Sequence, residues 1–257
     1  MLLDVYGPIM EELTGVRERI KKYYGIKMGN IKDFAHLEKE VERLICPALV
    51  LLTAGIYGRL TEKIMPLAVV FQFIDQAVMV HKNINEGCQE ADDNCTDPRD
   101  GCQYPVLVGD YLYGRFFTTL CEEDMLKYLK PLSEIICMMN EGGIIRLRNQ
   151  NNGVINPVFR QEIVRLETAE LLGGCCRLAG EEIGADLDQQ QHLSDFGRTL
   201  GMAFGMAESQ GYDQAIKYFK DTLLHLERLN PGKGREDLRE LVLYLLKTVT
   251  EDKKMVG

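Results

Sequence analysis

The sequence is short of basic charge and of long apolar runs, and both shortages exclude broad classes of function. Its 30 lysines and arginines are outnumbered by 39 aspartates and glutamates, which leaves a net charge of -9. Nucleic acids require a basic surface, and anionic lipid surfaces also attract basic segments. No apolar stretch approaches the roughly 20 residues of a membrane span, and residues 1–10 lack the basic region that opens a signal peptide. We therefore expect a cytoplasmic protein with neither a nucleic-acid partner nor a membrane span.

The short motifs that mark common enzyme and zinc-binding classes are also missing. There is no Gly-x-x-x-x-Gly-Lys loop, no Gly-x-Ser-x-Gly elbow and no cysteine pair spaced as in a structural zinc site. Four potential metal ligands do recur every seven residues: His81, Cys88, Cys95 and Cys102. Glycine and proline residues between them disfavour one continuous helix, so a thiolate metal site is the weaker alternative and free thiols are expected.

Helical periodicity dominates the rest of the sequence. One example is an apolar stripe with the spacing i, i+4, i+7, i+8, formed by Leu37, Val41, Leu44 and Ile45. Glycine and proline residues predict helix ends, among them Gly142-Gly143 and Pro231-Gly232. Alternating strand patterns are scarce, and no low-complexity linker divides the chain. The pattern predicts about ten helices in a single all-α domain over residues 1–257.

Five segments carry a more specific signal because of their order along the chain. They are residues 43–54, 71–86, 106–115, 167–169 and 200–204. In order and spacing they resemble landmarks of the trans-isoprenyl diphosphate synthases, also called the polyprenyl synthetase family. The closest match is Gly109-Asp110-Tyr111-Leu112, which is similar to the family's Gly-Asp-Tyr/Phe-Leu segment. The resemblance implies a helical bundle of the isoprenoid synthase type around a central cavity, and a dimeric assembly.

The resemblance also implies a particular chemistry for that cavity. Active members of the family ionise an allylic diphosphate and join the resulting carbocation to isopentenyl diphosphate. Mg²⁺ ions held by two aspartate-rich motifs on facing helices neutralise the departing diphosphate. Mg²⁺ prefers carboxylate oxygens that it shares with substrate phosphates, and the spacing Asp-Asp-x-x-Asp places two carboxylates on one helix face. A catalytic member therefore needs both motifs.

Both aspartate-rich motifs are degenerate in this sequence. The matching positions are Lys82, Asn83 and Glu86 in the first motif and Glu208, Ser209 and Tyr212 in the second. Only two carboxylates remain where the family has six, and Lys82 places a positive charge where a metal ligand should stand. We therefore expect no catalytic residues, no bound metal and no cofactor, with Mg²⁺ relevant only if some activity remains.

The positions that match the family's diphosphate-binding residues have changed as well. The vestigial positions are Arg43, Arg99, Glu167 and Thr168. Glu167 stands where the family has the lysine of a Lys-Thr pair, which is a reversal of charge. Gly205 stands where the family has a glutamine, and a stretch of several tens of residues that includes a Gly-Lys turn is missing after the second motif. These departures predict that the diphosphate site has been lost.

We interpret the sequence as a non-catalytic subunit whose helical scaffold has been kept. Four aromatic residues in the best-matched segment are candidates for the dimer interface: Tyr111, Tyr113, Phe116 and Phe117. The partner would be a catalytic prenyl diphosphate synthase homologue, in a heterodimer or a larger assembly, or a second copy of the chain. The alternative is that these aromatics belong to the core of a single chain.

Two other functions stay open on the sequence. A residual prenyltransferase could use Glu86, Glu208 and either Asp92 or Asp93 to hold a weakened metal cluster. The stretch around Asp92 is otherwise expected to be a solvated acidic loop. A binding module could instead hold an apolar isoprenoid ligand in the surviving cavity.

Overall fold

The computed structural model describes residues 5–24, 44–58, 61–82, 103–151 and 154–256. Within these ranges the predicted all-α class is confirmed. The helices are α1 (Met10–Tyr24), α2 (Ile45–Ile56), α3 (Ile64–Lys82), α4 (Gln103–Glu122), α5 (Leu129–Arg148), α6 (Pro157–Val164), α7 (Glu170–Glu182), α8 (Leu187–Glu208), α9 (Tyr212–Leu226) and α10 (Lys233–Val256). Helices α6 and α7 join through a π-helical segment, Arg165–Ala169, so the described residues form nine separate helical rods. Two-residue strands β1 (Gln150–Asn151) and β2 (Val154–Ile155) pair antiparallel between α5 and α6.

Several residues singled out from the sequence lie outside the described ranges. They are Arg43, Asn83, Glu86, Cys88, Asp92, Asp93, Cys95, Arg99 and Cys102. What the sequence predicts for them stays a prediction.

Helix α3 is the centre of the bundle, where α1, α2, α4 and α7 pack around it. Among the described helices it is the one long and apolar enough to cross a membrane, but 78% of its apolar window is buried inside the protein. A helix that is apolar around its whole circumference must be covered on all sides, and here the covering comes from other helices. Its C-terminal end carries His81 and Lys82.

The predicted helix end at Gly142-Gly143 is wrong, because α5 continues through both glycines to Arg148. The physical reason is a close helix contact. A Cβ atom at Gly142 would lie 2.7 Å from Glu167 Cγ and 2.9 Å from Leu166 Cβ. The glycine therefore lets α5 approach the π-helical segment rather than ending the helix.

Helices α7 and α8 pack closely together, and glycines permit this contact. A Cβ atom at Gly197 would lie 2.4 Å from the carbonyl oxygen of Leu172, and one at Gly201 would lie 2.5 Å from Ala169 Cα. Any larger residue would push the two backbones apart. The contact sets the π-helical segment beside the second half of α8, which ends at Glu208.

The connection between α8 and α9 is a turn of three residues. Helix α8 ends at Glu208, Gln210 takes a positive φ of 61°, and α9 begins at Tyr212. The late stretch that the resemblance implies at this point has no room in the turn. The second motif is therefore followed directly by a helix.

Candidate functional site

A cavity opens between α2, α3, α5, α7, α8 and the π-helical segment, in the middle of the bundle. The described residues leave it a volume of about 80 Å³. Its polar lining consists of Asp75, Lys82, Glu167, Thr168 and Glu208. The remaining lining is apolar, apart from the thiol of Cys46. Four residues that the sequence singled out in three separate segments are therefore brought together on one cavity wall.

The centre of this wall is a buried ion-pair cluster, Lys82–Glu167–Arg146. Lys82 Nζ lies 2.8 Å from Glu167 Oε2, and Arg146 Nε donates a hydrogen bond of 3.1 Å to Glu167 Oε1. The Glu167 side chain is only 7% exposed, and those of Lys82 and Arg146 are 24% and 19% exposed. Both oxygens of the carboxylate are therefore occupied by cations from two other helices.

The local geometry that points Glu167 into the cavity comes from the π-helical segment and its neighbours. A π-helical turn contains an extra residue, and such turns are frequent at functional sites. Gly142 on α5 leaves space for the Glu167 side chain on one side. On the other side, a Cβ atom at Gly205 would lie 2.7 Å from Val164 Cγ1 and 3.1 Å from Thr168 Oγ1. The segment is thus enclosed between two glycines on different helices.

The three residues that the sequence predicts at the second motif do not form one group. Glu208 lies at the end of α8 and lines the cavity. Ser209 Oγ donates a hydrogen bond of 3.1 Å to the Met206 carbonyl oxygen. Tyr212 is half-buried against the core at the start of α9. Among the described residues, Ser209 and Tyr212 do not line the cavity, so the motif contributes one carboxylate to it.

Cys46 stands where the family resemblance implies a diphosphate-binding arginine, and its thiol lines the same cavity. Its side chain is completely buried. A hydrogen bond to Cys175, together with burial, raises the pKa of the Cys46 thiol well above its ordinary value. The group is therefore neutral at physiological pH and supplies no positive charge for a phosphate.

Comparison with known proteins gives this geometry its context. Residues 36–208 match the sequence model of the polyprenyl synthetase family. The chain belongs to the polyprenyl synthetase family. It is 27% identical over 242 residues to octaprenyl diphosphate synthase of Escherichia coli (strain K12), which covers 93% of this chain and 68% of that protein. It is 26% identical over 213 residues to a prenyl transferase of Synechocystis sp., which covers 80% of this chain and 65% of that protein.

Solved structures of polyprenyl synthetase family members have the same fold. A decaprenyl diphosphate synthase from Rhodobacter capsulatus superposes with a TM-score of 0.79 at 18% identity, covering 96% of this chain and 98% of that one. A polyprenyl synthase from Caulobacter crescentus, complexed with calcium and isoprenyl diphosphate, gives a TM-score of 0.80 at 18% identity and covers 96% and 97%. The isoprenoid synthase fold predicted from the sequence is confirmed.

The metal site of the polyprenyl synthetase family does not fit the residues that this structure describes. The resemblance implies carboxylates at both motifs, but Lys82 places an ammonium group on the α3 side and its partner Glu167 is already bound. Within the described ranges, no group of three or more His, Cys, Asp or Glu side chains is arranged to hold a metal ion. Asp75 and Glu208 add two carboxylates to the wall. We therefore derive no reaction step through a metal.

Sequence reasoning missed two members of this site. Arg146 lies in the last turn of α5, beyond the helix end that the sequence predicts at Gly142-Gly143. Asp75 precedes Lys82 by seven residues, or two helical turns, and this spacing could have placed both on one face of α3. Arg146 offered no comparable signal, because its partner is 21 residues away in the chain.

The four aromatic residues of the predicted dimer interface have different positions. Phe116 is fully buried in the core of the chain, which favours the alternative that it packs within a single chain. Tyr111 is half-buried and donates a hydrogen bond of 3.0 Å to the Tyr23 carbonyl oxygen. Tyr113 is also half-buried and packs against the core of the chain.

Phe117 is the exposed member of the set. Its side chain is 48% exposed, and three other large apolar residues on α4 and α5 are also exposed: Leu107 at 64%, Ile144 at 50% and Leu147 at 61%. The four residues lie on helices that follow one another in the chain, two on α4 and two on α5. We refer to Leu107, Phe117, Ile144 and Leu147 as the α4–α5 surface.

Proposed function

We propose that this chain is a non-catalytic subunit of a heteromeric prenyl diphosphate synthase. In this proposal it binds a catalytic homologue, modulates the activity or product chain length of that homologue, and works in the cytoplasm. The observation that carries the proposal is the Lys82–Glu167–Arg146 cluster. Two of its members stand where the family resemblance implies a metal ligand and a diphosphate-binding lysine. Three lines of physical argument support the proposal: charge, volume and exposed surface.

The charge of the cavity opposes the binding of a diphosphate. Glu167 is the residue at the family's lysine position, and Asp75 and Glu208 line the same wall. The two cations that could attract a phosphate, Lys82 and Arg146, are both bound to Glu167. A diphosphate would have to displace that carboxylate from a buried ion pair, and leaving a buried charge without a partner costs several kcal/mol.

The volume of the cavity opposes the binding of a prenyl chain. Small-molecule sites generally enclose about 300–1,000 Å³, whereas the described residues leave about 80 Å³ here. Apolar side chains such as Met139, Leu172 and Phe204 line the cavity and limit its volume. The Caulobacter polyprenyl synthase, which has the same fold, was obtained in complex with calcium and isoprenyl diphosphate. The contrast supports a loss of substrate binding in this chain.

The α4–α5 surface supports a protein partner. Its four large apolar side chains are between 48% and 64% exposed in the single chain. Exposed aromatic and aliphatic side chains are typical anchors of protein interfaces. A catalytic homologue offers the best match, because it would share the fold and the two helices that carry this surface.

The direct test is to purify the chain alone and together with the catalytic homologue from the same genome. Each preparation is assayed with an allylic diphosphate, isopentenyl diphosphate and Mg²⁺, and products are sized by chromatography. We expect no turnover by the chain alone. We expect a stable complex with the homologue, and a change in its rate or in its product length.

Two variants separate the competing functions. Turnover by the chain alone that disappears in Glu208→Gln, but persists in the matched surface variant Glu240→Gln, would establish a residual Mg²⁺-dependent prenyltransferase and contradict the proposal. Binding of an uncharged prenyl alcohol by the chain alone, without any complex with the homologue, would establish a binding module instead.

A second pair of variants tests the partner surface. The double variant Phe117→Lys/Leu147→Lys places two charges in the proposed interface. We expect the dissociation constant of the complex to rise at least about 100-fold. Leu187→Lys is the control, since Leu187 is 81% exposed at the start of α8. An unchanged complex in the double variant would exclude the α4–α5 surface as the interface.

A further inference from the structure

One carboxylate in the cavity connects three different elements of the fold. Glu167 belongs to the π-helical segment, Lys82 ends helix α3, and Arg146 lies in the last turn of α5. Contacts of 2.8 Å and 3.1 Å join them. We call this set of three residues the brace.

We infer that the brace takes the place of a bound ligand. The brace fixes α3, α5 and the π-helical segment relative to one another at all times. The inference rests on the proposed function for the premise that no diphosphate enters the cavity. It adds that the arrangement of these helices is independent of metal and substrate. Such a subunit offers its partner one fixed surface, whatever the concentration of substrate.

The energetic argument starts from burial. A carboxylate that is 7% exposed would be strongly destabilised without cationic partners, and each of its oxygens has one. The two cations are at least three-quarters buried, so the pairs are less screened by solvent and salt than surface pairs. Asp75 and Glu208 are the other charged groups on the cavity wall. Removing Glu167 takes away the carboxylate that both Lys82 and Arg146 contact.

The brace also reaches the proposed partner surface through helix α5. Arg146 lies between Ile144 and Leu147, which are 50% and 61% exposed. Successive residues of a helix point about 100° apart, so one inward-facing arginine anchors a turn whose neighbours face outward. Gly142 adds backbone contact with the π-helical segment one turn earlier. The position of the last turn of α5 therefore depends on the brace.

Hydrogen exchange of the purified full-length chain, followed by mass spectrometry, tests this inference. Glu167→Lys would place three cations together, and we expect exchange in residues 139–148 to accelerate at least about tenfold. Adding Lys82→Glu restores one attractive pair, and we expect most of the protection to return. Glu181→Lys is the matched control, because Glu181 pairs with Arg177 in an exposed i, i+4 contact. Mg²⁺ together with inorganic diphosphate should leave exchange in the unmodified chain unchanged.

Three results would overturn the inference. They are wild-type exchange in Glu167→Lys, a failure of Lys82→Glu to restore protection, and an increase in protection of residues 139–148 when Mg²⁺ and diphosphate are added. Glu167→Gln, which adds no charge, gives the same readout if Glu167→Lys does not fold. The proposed function fails by a different measurement, namely turnover or the absence of a complex, so the two failures are distinguishable.

Discussion

Two buried glutamates, Glu167 and Glu170, lie three residues apart on one helical rod, and each contacts two cations. Glu167 lines the central cavity, and its partners Lys82 and Arg146 are 24% and 19% exposed. Those partners come from other helices that are distant in the chain. The result is an ion-pair cluster enclosed by protein on most sides.

Glu170 lines a different groove, on the outer side of the bundle, and has a more solvated environment. Arg165 Nη1 lies 3.1 Å from Glu170 Oε1, and Arg198 Nε lies 2.9 Å from Oε2. The two arginines are 45% and 46% exposed. Arg165 also has a second partner, Glu162, at 2.7 Å. The same residue type with the same number of partners therefore has two different environments: the cations around Glu167 are mostly buried, and those around Glu170 are about half-exposed.

The largest effect is expected at the cavity. Glu167→Gln keeps the shape of the side chain but leaves two buried cations without a carboxylate, so we expect the free energy of unfolding to fall by about 3 kcal/mol. Urea denaturation at neutral pH measures it. A loss below about 1 kcal/mol would mean that solvent already stabilises the two cations. The glutamates of the cavity and of the groove would then contribute equally to stability.

A smaller effect is expected in the groove. Glu170→Gln should lower the free energy of unfolding by about 1 kcal/mol, because Arg165 keeps Glu162 and the half-exposed Arg198 can be solvated. The same urea denaturation measures it, with Glu181→Gln as the control for an exposed pair. Equal losses at Glu170 and Glu167 would show that burial of the cations is not what separates the two glutamates.

The smallest effect is a pH dependence confined to the groove. A hydrogen bond from Arg165 lowers the pKa of Glu162 below its ordinary value. A carboxyl group whose folded pKa is lowered adds stability above its unfolded pKa and loses it as the pH falls through the folded value. Because Glu162 is 48% exposed, we expect Glu162→Gln to cost only about 0.5 kcal/mol at neutral pH.

Denaturation of Glu162→Gln and the unmodified chain across the acidic range measures this difference. It should shrink towards zero as the pH falls below the folded pKa of Glu162. A difference that grows on acidification would reverse the sign of the linkage and contradict the Arg165 contact.

The helical class and the order of the landmarks could be predicted from sequence, because apolar periodicity and short motifs are local properties. The ion-pair cluster could be predicted only in part. Lys82 stands where the family resemblance implies a carboxylate, and Glu167 stands where it implies a lysine. Two opposite reversals of charge, at positions that the family brings together, indicate a direct contact between the two residues. Their pairing was missed because it joins residues far apart in the chain and depends on Gly142 and on a π-helical turn.

The aromatic residues show a second limit of sequence reasoning. Phe116 and Phe117 are adjacent, yet the first is fully buried and the second is 48% exposed. Composition does not tell which of two adjacent phenylalanines faces the core. Their positions on the helix do, because successive side chains point about 100° apart. The apolar residues four positions before and four positions after Phe116, namely Leu112 and Leu120, are also fully buried. That stripe could have assigned Phe116 to the core.

Gly205 has a consequence for the proposed loss of the diphosphate site. The glutamine that the family resemblance implies at this position would begin with a Cβ atom 2.7 Å from Val164 Cγ1, so the valine side chain or the π-helical segment would have to shift. A lysine at position 167 would meet Lys82 and Arg146, and an aspartate at position 82 would meet Glu167. Each single replacement towards the residues that the resemblance implies is therefore opposed by its present neighbours. Under the proposed function, restoring catalysis would require several replacements at once.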